Sequence, residues 1–414
     1  MIRLLEKNIN DHDEFVKKHK YTDMFQLSSW AKVKEMNGWT WDVVSVGDDD
    51  GIKGSALLLY KKIPMFNLNL CYSPRGFMVD WDDKETADFL ISEVVKNAKK
   101  HNSILIKLDP ACKETVTDAK DVLENRGFVH SGFLDGLQTL AQPRHHVITD
   151  ISMDEKALMK SFQSRTRTDV RKSLKNGLVM EDMGADKVDV FYDLMQITSE
   201  RDGFGTRSAS YFKKILEEMK DNDDAKLFLV KVDPKQALEN LNKDLKNKEK
   251  EISRAKKKNE DGSRDQQISQ INNSITNTKN QIAEIEEMQK SNPNGQYLSG
   301  ALYTQCGPIA YYLYGASSNE LRDLMPNYFM QWQMMLYAKS NDCKIYDFGG
   351  VSGQEDQEDD EAPGLYEFKK RWGSEKESRI GEFDYVLKPI WNSLFNFALS
   401  AKKNLYHITK MFRN

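Results

Sequence analysis

Two runs of sequence decide the fold: QALENLNKDLKNKEKEISRAKK at residues 236–257 and QISQINNSITNTKNQIAEIEEM at residues 267–288. In both runs apolar residues recur every three or four positions, the spacing that forms the seam of a coiled coil. Between them, Glu260-Asp-Gly-Ser263 favours a turn over a continued helix. The pattern therefore predicts an antiparallel coiled-coil hairpin whose arms are each roughly 30–40 Å long.

The seam of this hairpin is mainly apolar, and Lys248 occupies the one polar seam position of the first run. Its predicted members are Leu238, Leu241, Leu245, Ile252 and Ala255 in the first run and Ile268, Ile271, Ile275, Thr278, Ile282 and Ile285 in the second. Heptads specify a partner helix and no chemistry, so a strut or a contact with a second copy is one interpretation. Because Arg254 and Lys256-Lys-Lys258 lie near the tip, contact with a nucleic acid or a partner protein is the other.

The hairpin interrupts the second of two similar stretches. KLFLVKVDP at residues 226–234 is typical of a strand ending in a turn, and GQYLSGALY at residues 295–303 is typical of the next strand. Earlier in the chain, strands predicted at residues 41–46 and 54–60 follow the same order but are joined by the short turn 47–51. We therefore interpret the arm as an insertion into a hairpin turn.

The two stretches keep the same order beyond their hairpins. Each continues with a further strand, a long helical pattern and a buried strand. The matching segments are residues 70–76 and 310–316, residues 85–100 and 326–340, and residues 104–110 and 344–350. Several elements in one shared order favour an internal duplication, so the sequence predicts two copies of one α/β unit.

Composition limits the class of protein. The 414 residues are enough for two domains besides the arm, and with a formal net charge of −4 any site for a polyanion must be a local patch. The four cysteines have no metal-ligand spacing, which favours a reducing compartment and argues against a zinc site. Without a signal peptide or an apolar run of membrane-spanning length, the sequence predicts a cytoplasmic protein, soluble or at most peripheral to the membrane.

Familiar catalytic motifs are absent from the sequence. We find no GxxxxGK[ST] loop, no GxGxxG after a strand, no GxSxG elbow and no HExxH helix. A covalent nucleophile is therefore not expected. Cys71 and Cys343 remain alternatives as nucleophiles, although packing as small apolar residues is the commoner role of such cysteines.

Basic and aromatic residues beside turns are stronger candidates for a site. SFQSRTRTDVRK at residues 161–172 carries a basic cluster that suits either a phosphate patch or a solvated helix face. The members of this cluster are Arg165, Arg171 and Lys172. In residues 201–212 a glycine-rich loop leads into a helix, with Arg207 near its start. Anions favour that position because free backbone N–H groups and the helix dipole add to the guanidinium charge.

Eight short motifs lie in a specific order along the chain. They are Trp30-Ala-Lys-Val-Lys34, Ile106-Lys-Leu-Asp-Pro110, Gln142-Pro-Arg144, Arg201-Asp-Gly-Phe-Gly-Thr-Arg-Ser-Ala-Ser-Tyr-Phe212, Tyr312-Leu-Tyr-Gly-Ala-Ser317, Tyr346-Asp-Phe-Gly-Gly350, Gly364-Leu-Tyr-Glu-Phe-Lys369 and Ile380-Gly-Glu-Phe-Asp384. Together they resemble the Fem family of non-ribosomal peptidyltransferases, which build the interpeptide bridge of peptidoglycan. The resemblance spans nearly the whole chain, and the coiled-coil insertion matches the members that have a helical arm.

The resemblance implies an α/β protein with two acetyltransferase-like (GNAT-fold) domains in tandem and an inserted antiparallel coiled-coil hairpin. The first domain, which would bind the acceptor, comprises residues 1–150 and 381–414. The second comprises residues 151–235 and 292–380. The coiled-coil arm comprises residues 236–291.

The resemblance also implies a reaction. An aminoacyl-tRNA would donate glycine, alanine or serine, and the stem-peptide lysine of lipid II, a lipid-linked disaccharide-pentapeptide, would accept it. The lysine ε-amine would attack the ester carbonyl directly, so the enzyme must mainly align two substrates, accept a proton and stabilise an oxyanion. No cofactor is expected. Sister bridge-forming transferases are expected partners, and the inner face of the membrane is the expected location.

Four residues match the family's acceptor site. Lys34, Arg207 and Tyr211 fall where the family binds the diphosphate of the acceptor, and two cations suit a diphosphate. Tyr314 falls at a tyrosine of the same site.

Four further residues match the catalytic positions of the family. Phe368 and Lys369 correspond to the pair beside the tRNA end, where Lys369 would offer its charge to the oxyanion or to the leaving ribose. Asp109 and Glu382 occupy the positions of acidic groups considered as proton acceptors. Either carboxylate could instead only organise the site.

Two segments depart from the family pattern. Residues 353–361 carry six acidic side chains just before the Phe368-Lys369 pair, so we expect this loop to be mobile rather than fixed against tRNA phosphates. WNSLFNFAL at residues 391–399 is typical of an interfacial helix, although docking onto the first domain is the alternative. The cations that follow it are Lys402, Lys403, Lys410 and Arg413.

A different functional class stays open. A duplicated acetyltransferase-like fold could equally serve acyl-CoA as an N-acyltransferase, and the coiled coil could make the chain an interaction protein. CoA-dependent members of that fold commonly cradle phosphate with a Q/RxxGxG/A segment, and we find no convincing copy of it in this sequence. Consumption of acetyl-CoA would favour this alternative.

Overall fold

The computed structural model describes residues 1–132, 141–220, 224–259, 262–355 and 363–397. Across these residues the strands form two sheets. The first contains β1 (Arg3–Leu4), β2 (Trp39–Asp48), β3 (Gly51–Lys62), β4 (Asn69–Arg75), β5 (Met78–Val79), β6 (Ser103–Pro110), β7 (Val129–His130) and β15 (Phe383–Val386). Its order is β1-β2-β3-β4-β6-β15-β7, and β5 pairs with β3.

The second sheet has the order β14-β8-β13-β12-β11-β10-β9. Its strands are β8 (His145–Asp150), β9 (Leu178–Met183), β10 (Ala225–Val232), β11 (Gln296–Cys306), β12 (Ile309–Ser317), β13 (Ile345–Val351) and β14 (Glu375–Ser378).

The helices cover both sheets and form the arm. They are α1 (Ile9–Lys18), α2 (Ser28–Glu35), α3 (Lys84–Lys100), α4 (Thr117–Asn125), α5 (Glu155–Ser161), α6 (Ser164–Ser173), α7 (Val188–Asp202), α8 (Ala209–Glu218), α9 (Pro234–Lys257), α10 (Asp265–Ser291), α11 (Pro326–Ser340), α12 (Pro363–Lys369) and α13 (residues 389–397). Short 3₁₀ turns lie at Met24–Gln26, Ala185–Lys187, Arg322–Leu324 and Lys370–Trp372.

Strand pairing confirms the predicted duplication. In the first sheet β2, β3 and β4 are antiparallel neighbours, and β4 then pairs in parallel with β6 after the crossover helix α3. In the second sheet β10, β11 and β12 repeat this arrangement, and β12 pairs in parallel with β13 after α11. The two units therefore share order, direction and crossover, and the prediction of an α/β fold with two sheets is confirmed.

One predicted boundary differs from the pairing. The sequence placed residues 145–150 in the first domain, yet β8 pairs with β13 and β14 of the second sheet. The backbone of β8 forms hydrogen bonds with its neighbours β13 and β14 in the second sheet. Local sequence does not reveal which sheet a strand joins. By contrast, β15 pairs with β6 in the first sheet although it lies near the end of the chain.

Besides the core of each unit, one buried apolar cluster spans the boundary between them. Val16 and Trp30 of the first unit pack in the same buried cluster as Phe212, Ile215 and Leu302 of the second. Helix α2 thus contacts α8 across the boundary between the units. A buried apolar boundary of this kind fixes the relative position of side chains contributed by both units.

Helices α9 and α10 pack side by side as the arm. Near the tip Ile252 and Ala255 contact Ile271, and the predicted polar seam position Lys248 donates to the hydroxyl of Thr278 at 2.7 Å. With 24 and 27 residues, the helices are roughly 36 and 40 Å long at ~1.5 Å per residue. Of the predicted turn, Glu260 and Asp261 lie outside the described residues.

The base of the arm belongs to the core of the second unit. Ala237, Leu241 and Ile285 are buried in the same cluster as the strands of the second sheet. The backbone at Gly177 approaches Ala237 so closely that an added Cβ would collide with it. The predicted arm of residues 236–291 therefore includes a base that packs into the domain, and only its distal part extends away.

Candidate functional site

The four predicted acceptor residues lie together at the boundary between the units. Lys34 is on α2, Tyr211 is in the first turn of α8, and Tyr314 is on β12. Ser208 caps α8 by accepting a hydrogen bond from the backbone N–H of Tyr211 at 3.3 Å, which ends the glycine-rich loop with Arg207 just before the helix.

The contacts within this acceptor cluster involve cations and aromatic rings. The Nζ of Lys34 donates to the hydroxyl of Tyr211 at 3.3 Å and lies 4.3 Å from the ring centroid of Trp30. The guanidinium of Arg207 lies 5.7 Å from the ring of Tyr211. The rings of Tyr211 and Tyr314 meet edge to face with centroids 6.4 Å apart.

Like charges dominate the electrostatics of the acceptor cluster. Burial, followed by repulsion from Arg207, lowers the pKa of Lys34 to about 8. Among the described residues, neither Lys34 nor Arg207 forms an ion pair with a carboxylate. Burial also raises the pKa of Tyr211 and of Tyr314, so both phenols stay protonated and can donate. An anion bound here would relieve the repulsion and gain several donors.

Lys369 lies in a different environment at the end of α12. Its side chain is only 4% exposed, and its Nζ donates to the carbonyl oxygen of Gly350 at 2.7 Å. Burial lowers its pKa to about 8, and the negative charge of Asp347 partly opposes that shift. The neighbouring Phe368 packs edge to face with Tyr328 and Trp372.

The two predicted carboxylates line one small cavity. Asp109 accepts from the backbone N–H groups of Arg75 at 3.0 Å and of Gln142 at 3.2 Å. Burial raises its pKa to about 6, although Arg75 opposes the shift. Glu382 instead accepts from Lys107 at 2.8 Å. The cavity has a volume of about 10 Å³, close to the space that one water molecule requires.

A buried hydrogen-bonded network starts at this cavity. The guanidinium of Arg75 lies 3.5 Å from Asp109 and 2.8 Å from Nε2 of His146. Since a guanidinium can only donate, Nε2 must accept, and the proton of the imidazole is assigned to Nδ1. Burial lowers the pKa of His146, which keeps it neutral. Its Nδ1–H then donates to Asp347 at 2.7 Å.

This network joins the two sheets. Arg75 and Asp109 end β4 and β6 of the first sheet, whereas His146 and Asp347 lie on β8 and β13 of the second. Its far end, Asp347, is the carboxylate whose charge acts on Lys369. A chain of buried side chains thus runs from the predicted proton acceptor, Asp109, to Asp347, whose charge acts on the predicted oxyanion stabiliser, Lys369.

Other sequence candidates have simpler roles. Cys71 and Cys343 are buried, and burial raises the pKa of the Cys71 thiol to about 12, which disfavours a nucleophilic thiolate. The basic cluster of α6 is exposed, and Arg165 lies 4.0 Å from Asp169 of its own helix. In the acidic loop Glu355 pairs with Lys376 at 2.9 Å, and residues 356–361 lie outside the described part.

The part of the chain that the structure describes contains neither a candidate metal site nor a candidate membrane span. No group of three or more His, Cys, Asp or Glu side chains is arranged to hold a metal ion there. None of the helices described is long and apolar enough to cross a membrane. The predicted cations Lys402, Lys403, Lys410 and Arg413 lie beyond the last described residue.

Comparison with known proteins assigns the family. The sequence model of the FemAB family matches residues 8–400, nearly the whole chain. The chain belongs to the FemAB family. Lipid II:glycine glycyltransferase of Staphylococcus epidermidis is 42% identical over 384 residues, or 92% of each chain. The enzyme of the same name from Staphylococcus aureus is 42% identical over 386 residues, or 91% of each chain.

A solved structure agrees with this FemAB assignment. The crystal structure of FemX matches with a TM-score of 0.83 and 39% identity, covering 95% of this chain and 99% of that one. The family resemblance and the prediction of a transferase are therefore confirmed. The roles of individual FemAB site residues in this chain stay predictions.

The FemAB fold brings together two groups of predicted residues and adds three that sequence reasoning missed. Lys34, Arg207, Tyr211 and Tyr314 form one cluster, and Asp109 and Glu382 line one cavity. The missed residues are Arg75, His146 and Asp347. Arg75 and Asp347 end or interrupt apolar strand patterns, which is a signal for a buried polar role, but nothing in the sequence pairs either of them with His146.

Proposed function

We propose that this FemAB protein transfers glycine from glycyl-tRNA to the stem-peptide lysine of lipid II in peptidoglycan bridge synthesis. Two relatives with 42% identity over nearly their whole length carry the name lipid II:glycine glycyltransferase, which supports glycine over alanine or serine. The acceptor cluster supports a phosphorylated acceptor, because two cations share it without a carboxylate partner among the described residues. The positive charge of Lys34 and Arg207, unpaired among the described residues, is the observation that supports a phosphorylated acceptor.

Acceptor binding would use the cluster as a diphosphate site. Lys34 and Arg207 supply charge, and the phenol groups of Tyr211 and Tyr314 supply neutral donors. A bound diphosphate would raise the pKa of Lys34, because it replaces repulsion from Arg207 by attraction. The acceptor would thus bind more tightly when Lys34 is protonated than when Lys34 is neutral.

The reaction would be direct aminolysis. The acceptor's ε-amine attacks the ester carbonyl carbon, a C–N bond forms, and the carbonyl oxygen gains negative charge. The nitrogen then loses a proton, the ester C–O bond breaks, and the ribose oxygen leaves and takes up a proton. No covalent enzyme intermediate is needed, because an ester is already activated.

Two groups would handle charge and protons. Asp109, with a pKa raised by burial to about 6, is ionised at neutral pH and would accept the proton through a water molecule, because its cavity is too small for a peptide. Lys369, with a pKa lowered by burial to about 8, is mostly protonated at neutral pH. It would stabilise the oxyanion and supply a proton to the leaving ribose oxygen.

Partners and location follow from the substrates. A lipid-linked acceptor would bring the protein to the inner face of the membrane, and sister transferases would extend the bridge. The distal arm, with Arg254 and Lys256-Lys-Lys258 near its tip, would contact tRNA outside the reacting end.

Competition between charged tRNAs tests this function. Purified protein is incubated with lipid II and an equal mixture of glycyl-, alanyl- and seryl-tRNA, and the product is identified by mass. We expect addition of one glycine to the stem-peptide lysine. Addition of alanine or serine would overturn the choice of amino acid. Product formed only with acetyl-CoA would favour the acyl-CoA alternative and overturn the tRNA-dependent function.

A further inference from the structure

Two segments that are distant in sequence meet on the surface of the first unit. The loop between β3 and β4 contributes Phe66, whose ring lies 4.9 Å from that of Trp391 on α13. One turn further along α13, Phe395 packs on the buried cluster of Leu68 and Ile104. The side of α13 that carries Trp391 and Phe395 is therefore held against the domain.

A second face of α13 and the tip of the loop expose large apolar side chains. Ile390, Leu394 and Phe397 are 77%, 55% and 75% exposed, and their spacing of four and three places them on one helix face. Met65 and Phe66 in the loop are 95% and 42% exposed. We call these five residues the apolar patch. Such a concentration of exposed apolar groups marks an interaction site.

The two segments that build the apolar patch carry only basic charged residues. The loop sequence KKIPMFNLNL at residues 61–70 contains two lysines and no acidic residue. Residues 385–397 contain Lys388 and no Asp or Glu, in a chain whose net charge is −4. Both segments that build the patch are thus basic, although the chain as a whole is acidic.

We propose that the apolar patch docks this protein on an anionic lipid surface. Exposed Leu, Ile, Phe and Met side chains bordered by Trp and lysine are the combination that inserts into the headgroup region of a bilayer. Nearby cations add attraction to anionic lipids. A second copy of the chain fits less well, because a twofold contact would place one basic surface against itself.

This docking surface is separate from the proposed transfer activity, because it can be measured without any tRNA or acceptor. If both proposals are correct, the apolar patch would bind the enzyme to the membrane surface, where a lipid-linked acceptor is found. The patch shares no residue with the acceptor cluster or with the buried network, so substitutions in it leave the reacting groups untouched.

Vesicle sedimentation tests the docking surface. Full-length protein is mixed with vesicles of equimolar phosphatidylglycerol and phosphatidylcholine, or of phosphatidylcholine alone, and the bound fraction is measured. We expect binding to the anionic vesicles, reduced about tenfold or more in a Leu394→Glu/Phe397→Glu variant because it loses apolar insertion and gains repulsion. The matched control is Leu4→Glu/Val129→Glu, which changes two exposed apolar residues outside the patch and should bind like the wild type.

Three results would overturn this assignment. They are the absence of vesicle binding by the wild type, equal binding by the patch variant, and a dimer in light scattering that the patch variant dissociates. Glycine transfer to a water-soluble acceptor without the lipid tail separates the two proposals. The patch variant should keep this transfer activity. If the wild type shows no transfer to the water-soluble acceptor, that result counts against the proposed function and not against the docking surface.

Discussion

Burial lowers the pKa of both Lys34 and Lys369 to about 8, but the neighbouring charges act on the two lysines in opposite directions. For Lys34, burial is reinforced by the neighbouring cation Arg207, and no carboxylate among the described residues pairs with it. For Lys369, burial is opposed by the anion Asp347, and a carbonyl oxygen already accepts a hydrogen bond from its ammonium. Lys34 is thus repelled by a neighbouring cation, whereas Lys369 is held in place by a hydrogen bond and a neighbouring anion.

This difference separates binding from chemistry. A cation that suffers repulsion gains most when an anion arrives, so Lys34 is suited to ground-state binding of a phosphorylated substrate. A cation that is fixed before the reaction stabilises charge that appears only in the transition state, so Lys369 is suited to catalysis. Substitutions at the two sites should therefore change different kinetic constants.

Removal of the Lys369 charge should have the largest effect. Lys369→Met keeps most of the apolar length of the side chain, so the fold should survive. We expect kcat to fall by roughly 10²–10³ at saturating substrates, with the acceptor KM within a few-fold of wild type. The matched control is Lys370→Met, which removes the next lysine, a half-buried one paired with Glu367. A raised tRNA KM that more tRNA rescues would remove Lys369 from the catalytic groups.

Removal of Arg207 should act on binding instead. Arg207 is exposed, so loss of its contact with a diphosphate should raise the acceptor KM by about ten- to a hundredfold, less than for a buried contact. The tRNA dependence and kcat should change little. Lys213→Ala, which removes a cation on the following helix α8, is the control. Weakened tRNA affinity with an unchanged acceptor KM would reverse the assignment.

The pH dependence should distinguish the two lysines. Because the charged form of Lys369 exists below its pKa of about 8, kcat should decline as pH rises past 8, by up to about tenfold per unit. Lys34 should contribute to kcat/KM but not to kcat, since a bound anion raises its pKa. In Lys369→Arg the alkaline limb of kcat should move to higher pH, because arginine stays protonated. An alkaline limb that stays in place would show that another group controls it.

Shortening the arm should have the smallest effect. Replacing residues 249–277 by a four-residue Gly-Ser linker removes the distal seam around Ile252 and Ile271, but keeps Ala237 and Ile285 in the domain core. We expect thermal unfolding within a few degrees of wild type and unchanged transfer from a minimal aminoacyl-RNA end. The KM for intact tRNA should rise about three- to tenfold, because the basic tip is lost.

The opposite result would connect the arm to the chemistry. Loss of transfer from the minimal RNA, with the protein still folded, would mean that the distal arm contributes to the reacting site. A fully unchanged KM for intact tRNA at low salt would instead leave the arm as a strut or a contact for another protein.

The family resemblance named the members of the acceptor cluster, whereas it did not name the buried network. Lys34 and Tyr211 are 177 residues apart and meet only at the boundary between the units, so local sequence alone could not have paired them. His146 also has no local signal: its role depends on Arg75 from one sheet and Asp347 from the other, which are 71 and 201 residues away. Partners that meet only when two sheets pack together cannot be identified from one sequence alone.

By itself the sequence determined the duplicated α/β units, the helical insertion and its seam, because these depend on periodic patterns within neighbouring residues. Only the tertiary structure decided that β8 joins the second sheet, that the arm's base lies in a domain core, and that a buried network runs from Asp109 to Asp347, whose charge acts on Lys369. Those features depend on contacts between residues far apart in the chain. Burial then set the pKa values, because it removes the water that keeps a lysine or aspartate near its ordinary value.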